Sequence, residues 1–245
     1  MRYFLLASIF LLVQSVSAQK SQKDEPVFDT IRTSPGPAGV PVKITFHKGP
    51  AHNHPLMAIW VEDIDGNYLA TIYVAESIGT SIFNYATNSG GKWAPGEIRR
   101  PAALPHWGHK YGYKAEDGYY IPSTDNPVPD AVTGATPKRD FVVYSTIPET
   151  QSEKLRILFE INQSWDWNEY WTNDKFPDDE QYKTSSQPAL IYETIINLNE
   201  KGQIYFMEAI GHSHYSGKDG KIYKDLNTLT TALEIVEKIT VQLGG

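Results

Sequence analysis

Residues 56–75 read "LMAIWVEDIDGNYLATIYVA". Two runs rich in β-branched and aromatic residues, "LMAIWVE" (56–62) and "NYLATIYVA" (67–75), flank Asp65-Gly66. Side chains alternate faces along an extended chain, and an Asp-Gly step supplies the positive φ that a tight hairpin turn needs. The stretch therefore reads as an antiparallel pair of strands. The acidic turn superficially offers calcium ligands. A loop opening at Asp63 would need a glutamate at its twelfth position, and that residue is Val74.

The pattern repeats in both directions. "VPVKITFH" (40–47), "FVVYSTI" (141–147), "KLRILFEI" (154–161), "ALIYETIINL" (189–198) and "QIYFMEAI" (203–210) are further strand candidates, with Lys201-Gly202 as a second hairpin turn. "LEIVEKITVQL" (233–243) has some helical spacing but fits a strand better. No long amphipathic helical period and no internal repeat interrupts the series. The expected class is all-β, an immunoglobulin/fibronectin-like antiparallel β-sandwich. Two long connections, 76–138 and 162–188, are too rich in aromatics for disordered chain, so both read as ordered loops in which a site would lie.

The N-terminus carries Arg2, the apolar run Phe4–Val13, and Val16 and Ala18 in the small-residue positions of a signal-peptidase site. Ten apolar residues fall well short of the roughly 20 that span a bilayer. The expected organisation is a signal peptide (1–18), a polar tail (19–39) and one β-sandwich domain (40–245), in a periplasmic or secreted protein with no membrane span after cleavage. The chain has no cysteine, which excludes disulfides, thiolate metal sites and a lipidated cysteine. A formal net charge of −7 without any basic run argues against nucleic acid as a partner.

Six of the seven histidines form close pairs, His52/His54, His106/His109 and His212/His214. In extended chain the i and i+2 residues share a face, so His212 and His214 could offer two imidazoles to zinc or copper, with His106, His109 or a carboxylate completing the site. The alternative is that these loop histidines are simply exposed or hydrogen-bonded. "EINQSWDWNEYWTND" (160–174) holds Trp165, Trp167, Tyr170 and Trp171. They could stack on a sugar or a flat cofactor, or Trp165 and Trp167 could simply cap one end of the core. Asn162-Gln163-Ser164 matches a glycosylation acceptor. No nucleophile elbow, phosphate loop or zinc-protease helix motif is present, so nothing points to an enzyme in its own right.

Residues 130–136, Asp130-Ala131-Val132-Thr133-Gly134-Ala135-Thr136, resemble the acceptor motif of bacterial proteins that receive covalent FMN. The resemblance implies that a flavin transferase esterifies Thr136, with Asp130, Thr133, Gly134 and Ala135 forming the recognised stretch and a membrane redox partner exchanging electrons. The plain alternative is a strand-connecting turn, with the Asp130 carboxylate as cap, Gly134 at positive φ and Pro137 starting the next strand. Longer stretches, "AIWVEDIDGNYLATIYV" (58–74), "RRPAALPHWGHK" (99–110), "NPVPDAVTGATPK" (126–138), "EINQSWDWNEYWTN" (160–173) and "GHSHYSGKDGKIY" (211–223), are similar to a family of predicted periplasmic proteins defined only as a domain of unknown function, DUF2271. That family implies no settled activity. The functional expectation is an exported, flavinylated electron-transfer accessory; the rival is a non-catalytic binding module for a metal or glycan.

If the leader is read correctly, sequencing of exported protein finds its first residue at Gln19. Retention of residues 1–18 in a membrane fraction would contradict it.

Overall fold

A computed structural model describes residues 27–36 and 38–244; the predicted signal peptide lies outside the described residues. The chain is all-β, a sandwich of two main sheets. The first sheet is ordered β1 (Asp29–Arg32), β8 (Phe141–Ile147), β2 (Val40–Lys48), β13 (Val236–Leu243) and β11 (Ile204–Phe206). The second is ordered β12 (Glu208–His212), β10 (Leu190–Asn197), β9 (Lys154–Asn162), β3 (Leu56–Glu62), β4 (Tyr68–Ala75) and β7 (Thr133–Gly134). Neighbours are antiparallel except the edge pairs β1/β8 and β4/β7.

The opening stretch forms the β3–β4 hairpin as the sequence predicts. The Asp63 carboxylate accepts from the main-chain N–H of Asp65 and Asn67 and from the Asn67 amide, and Gly66 takes φ +86°. The acidic turn is thus consumed by its own backbone. Strand β3 is buried along its whole length, on both faces. Met57, Ile59 and Val61 face the first sheet, where they meet Ile44, Phe46, Phe141 and Val143. Each such side chain contributes about 1.5–3 kcal/mol by leaving water. Leu56, Ala58 and Trp60 point the other way, into a second apolar cluster under the covering segments.

Those covering segments are the first long connection and the 210–222 stretch. Residues 76–138 hold α1 (Glu76–Gly79), the hairpin β5 (Ile82–Ser89)–β6 (Lys92–Glu97), α2 (Pro105–Tyr111) and a 3-10 turn at Asp130–Val132. Residues 162–188 hold α3 (Glu180–Ser185). No helix among the described residues is long and apolar enough to cross a membrane.

Three details depart from the sequence reading. Within the segment read as a tail, Asp29–Arg32 form β1, a short parallel edge strand on β8. The Lys201-Gly202 turn does not close a hairpin, because β10 lies in one sheet and β11 pairs with β13 in the other. The run 203–210 breaks at buried Met207, whose N–H donates to Ile239 O, so the chain changes sheets there.

Two fully buried carboxylates attach the covering layer to the second sheet. Glu62 accepts from Trp60 Nε1 (2.8 Å) and Arg156 Nη1 (2.8 Å), with Lys110 Nζ at 3.2 Å. Glu160 accepts from the N–H groups of His106 (3.1 Å) and Trp107 (2.7 Å) in the first turn of α2. Burial pushes the Glu160 carboxyl up to about 8, against the opposing pull of those two N–H groups. A carboxyl with a raised folded pKa binds more protons folded than unfolded, so its contribution is complete below about 4.5 and is lost as pH rises through about 8. The stability gap between the native chain and Glu160→Gln should therefore shrink over that window in denaturant titrations. A gap independent of pH would contradict this environment for Glu160.

Candidate functional site

Residues 128–136 run along the free edge of β4. The 3-10 turn is closed by Thr133 N–H on the main-chain oxygen of Asp130, not by the Asp130 carboxylate. Thr133 and Gly134 then pair with Val74 and Ala75. The Tyr73 hydroxyl reaches the carbonyls of Gly134 (3.1 Å) and Ala135 (3.0 Å), and burial drives its pKa strongly upward, so it stays a donor. A Cβ on Gly134 would stand 3.1 Å from Tyr73 Cε2. A side chain there would press the ring back by a few tenths of an ångström. The positive φ of the turn reading is not adopted. Pro137 is buried and starts no strand, since β8 begins four residues later.

Beyond the pinned dipeptide the chain opens outward. Ala135 is exposed and Thr136 partly exposed, followed by exposed Lys138 and Arg139. Asp130 is also exposed, whereas Thr133 sets its methyl against Gly79. The same stretch forms one wall of a cleft of about 290 Å³, at the small end of ligand-holding cavities. Tyr68, Thr71 and Tyr111 form the facing wall, with Ala131 and Val132 on the acceptor side. Tyr68 and Tyr111 meet edge to face at 6.1 Å. Residue 132 lies four residues before Thr136, a chain reach of no more than about 14 Å.

The aromatic segment divides. Trp171 is buried in the sandwich core beside Tyr182, Tyr215 and His212, its Nε1 donating to Thr228 Oγ1. Trp167 packs on the same core, as the capping alternative has it, whereas Trp165, which that alternative placed there too, does not. Trp165 is 59% exposed, and Tyr170 is exposed but has the Lys175 ammonium over its ring. Residues 135–136 and 163–165 leave the second sheet at the same end, because Val74 pairs with Ala58 and Leu56 with Asn162. Three strand spacings separate them, about 14 Å. Asn162 itself is 2% exposed and donates to Gln187 O, which removes it as a glycan acceptor.

The histidines are drawn into one region without converging. His106 Nδ1 bonds Gly220 O (2.6 Å), and Gly220 packs on the His109 side chain, so α2 lies against the 211–223 segment. His109 Nδ1 bonds Pro105 O, His212 Nδ1 bonds Ser213 O, and His214 Nδ1 accepts from Ser216 N–H. Burial lowers the pKa of His106 and His214, keeping both rings neutral. Among the described residues, no three His, Asp or Glu side chains form a group arranged to hold a metal ion.

No protein-family model matches the chain, and neither a search of curated proteins nor one of solved structures finds a match.

Tyr73→Phe removes the hydroxyl shared by the Gly134 and Ala135 carbonyls while keeping the ring. The expected cost is about 0.5–1.5 kcal/mol, with faster amide exchange confined to the neighbourhood of residues 133–136. Unchanged exchange there would show that the edge is held by other contacts.

Proposed function

We propose that the chain is an exported electron-transfer accessory protein that carries FMN on the Thr136 hydroxyl. The observation that carries the reading is the placement of the acceptor-like stretch. Thr136 follows a dipeptide clamped to the sheet by Tyr73, so a transferase meets a partly exposed hydroxyl on a positioned backbone. The residues also fit the group that would be attached. Lys138 places positive charge beside a phosphodiester, and the cleft walled by Tyr68 and Tyr111 offers an apolar surface whose near side includes Val132, four residues before Thr136. Bound FMN supplies one- and two-electron redox chemistry at a surface position. The protein's part is to hold the tether, exclude water from one side of the ring and leave the other open to a membrane redox partner. The exported location and the resemblance of residues 130–136 come from the sequence, and they support the same reading.

Coexpression with a flavin transferase in an exporting host tests the proposal. The native chain should stay yellow after denaturation and desalting, with a mass gain of one FMN less one water. Thr136→Ala should be colourless, and Thr133→Ala should be modified less completely. Tyr111→Ala should be fully modified but show altered flavin fluorescence, because an aromatic wall is lost from the cleft. Correctly exported protein with only the bare mass, both coexpressed and from its native host, overturns the assignment.

A further inference from the structure

A second cleft of about 380 Å³ lies on the other flank of the α2 segment, among residues 109–120, the start of α3 and the turn 214–218. Its lining mixes apolar surface with polar groups and carries two lysines, Lys114 and Lys218, against one carboxylate, Asp179. Lys114 and Lys218 both face it, and among the described residues neither ammonium pairs with a carboxylate. The acids nearby are already engaged. Asp179 Oδ1 accepts the N–H groups of Gln181 and Tyr182. Asp117 is held by Arg99 Nε at 2.7 Å, and Glu180 by Lys183 Nζ at 2.7 Å. Asp219 accepts from Lys221 N–H and the Tyr223 hydroxyl.

The cations stand on a stiff support. The His109 ring stacks on Tyr120 at 4.2 Å, and the Lys114 ammonium lies 5.5 Å from the centre of the same tyrosine ring. His109 bonds Pro105 O through Nδ1, which leaves its other ring nitrogen uncommitted by that bond. Gly217 takes φ +73° and its missing Cβ would meet Pro101 O at 2.3 Å, so the turn bearing Lys218 is pressed onto backbone. Around the charges stand the amide of Gln181 and the hydroxyls of Tyr119 and Ser216.

We infer that this cleft binds an acidic saccharide of the hexuronate type. Two unpaired ammonium groups suit a carboxylate, while the amide, the hydroxyls and the accepting Nε2 of His109 suit ring hydroxyls in either hydrogen-bonding sense. The volume exceeds what a bare inorganic anion fills and lies in the range of small-ligand sites. Two cations on an acidic protein are too few for a nucleic-acid backbone. The site uses none of the residues in the FMN proposal and stands or falls separately.

Calorimetric titration of the full mature chain at low ionic strength tests it, with trigalacturonate, its neutral galactose counterpart and inorganic phosphate as probes. Trigalacturonate should bind saturably, and its affinity should drop as salt is raised. The neutral trisaccharide should bind more weakly by about tenfold or more, and so should trigalacturonate to Lys114→Ala/Lys218→Ala. Both lysines are exposed, so the double variant should keep the native unfolding midpoint, and Lys154→Ala, on an exposed part of β9, should bind normally. Absence of saturable uronate binding overturns the inference, as does undiminished binding by the double variant. Phosphate binding as tight as uronate binding reduces the cleft to a simple anion site and also overturns it.

Discussion

The buried carboxyl group of Glu160, caught between two N–H groups of α2, is the contact on which the outer half of the molecule depends. A carboxyl on a strand buried on both faces is costly unless every oxygen finds a donor. Glu160 meets that requirement only if the chain between β6 and β7 folds back so that His106 and Trp107 lie above β9. Glu62 imposes a second condition one strand away, through Lys110 at the other end of the same helix and Arg156 of β9. Together they fix both position and direction of α2 on the sheet. Apolar packing of Trp107 and Leu104 supplies driving force, but the two acids select one arrangement from the many that burial alone would allow.

Fixing α2 also fixes what lies on either side of it. Tyr111, at its C-terminal end, becomes a wall of the cleft beside the acceptor-like stretch, and its ring stacks on Trp107 at 5.3 Å. His109, pointing to the other flank, becomes a wall of the cationic cleft. One short helix therefore separates two clefts, one mainly apolar with aromatic walls, the other carrying two lysines and the Asp179 carboxylate. The sandwich proper contributes little to either beyond the exposed edge of β4.

Much of this was legible in the sequence where local chemistry decided it. Asp65-Gly66 sets the β3–β4 hairpin, and the alternation in 233–243 places β13 correctly. What escaped was settled by distant parts of the chain. Asp29–Arg32 has a polar, short sequence because a parallel edge strand needs only one buried side, and such a segment looks like tail. The apolar run 203–210 looks continuous, yet Met207 enters the core and sends its two halves to different sheets. The spacing of His212 and His214 suggested a shared face of extended chain, but His214 lies past the end of β12. Lys114 and Lys218 carry no motif. Only the fold makes them neighbours.

Gly134 shows how one residue can satisfy two readings for a single physical reason. As part of a strand-connecting segment it leaves room for the Tyr73 ring, which a Cβ would crowd at 3.1 Å. As part of an acceptor stretch it must let a large partner approach the backbone closely. The edge strand β7 is two residues long, and its clamp ends at Ala135. Pro137 then holds Thr136 in extended conformations, which turns its hydroxyl away from any helical hydrogen bond. A bulky group attached at Thr136 would load the chain after the last clamped residue and before the buried proline.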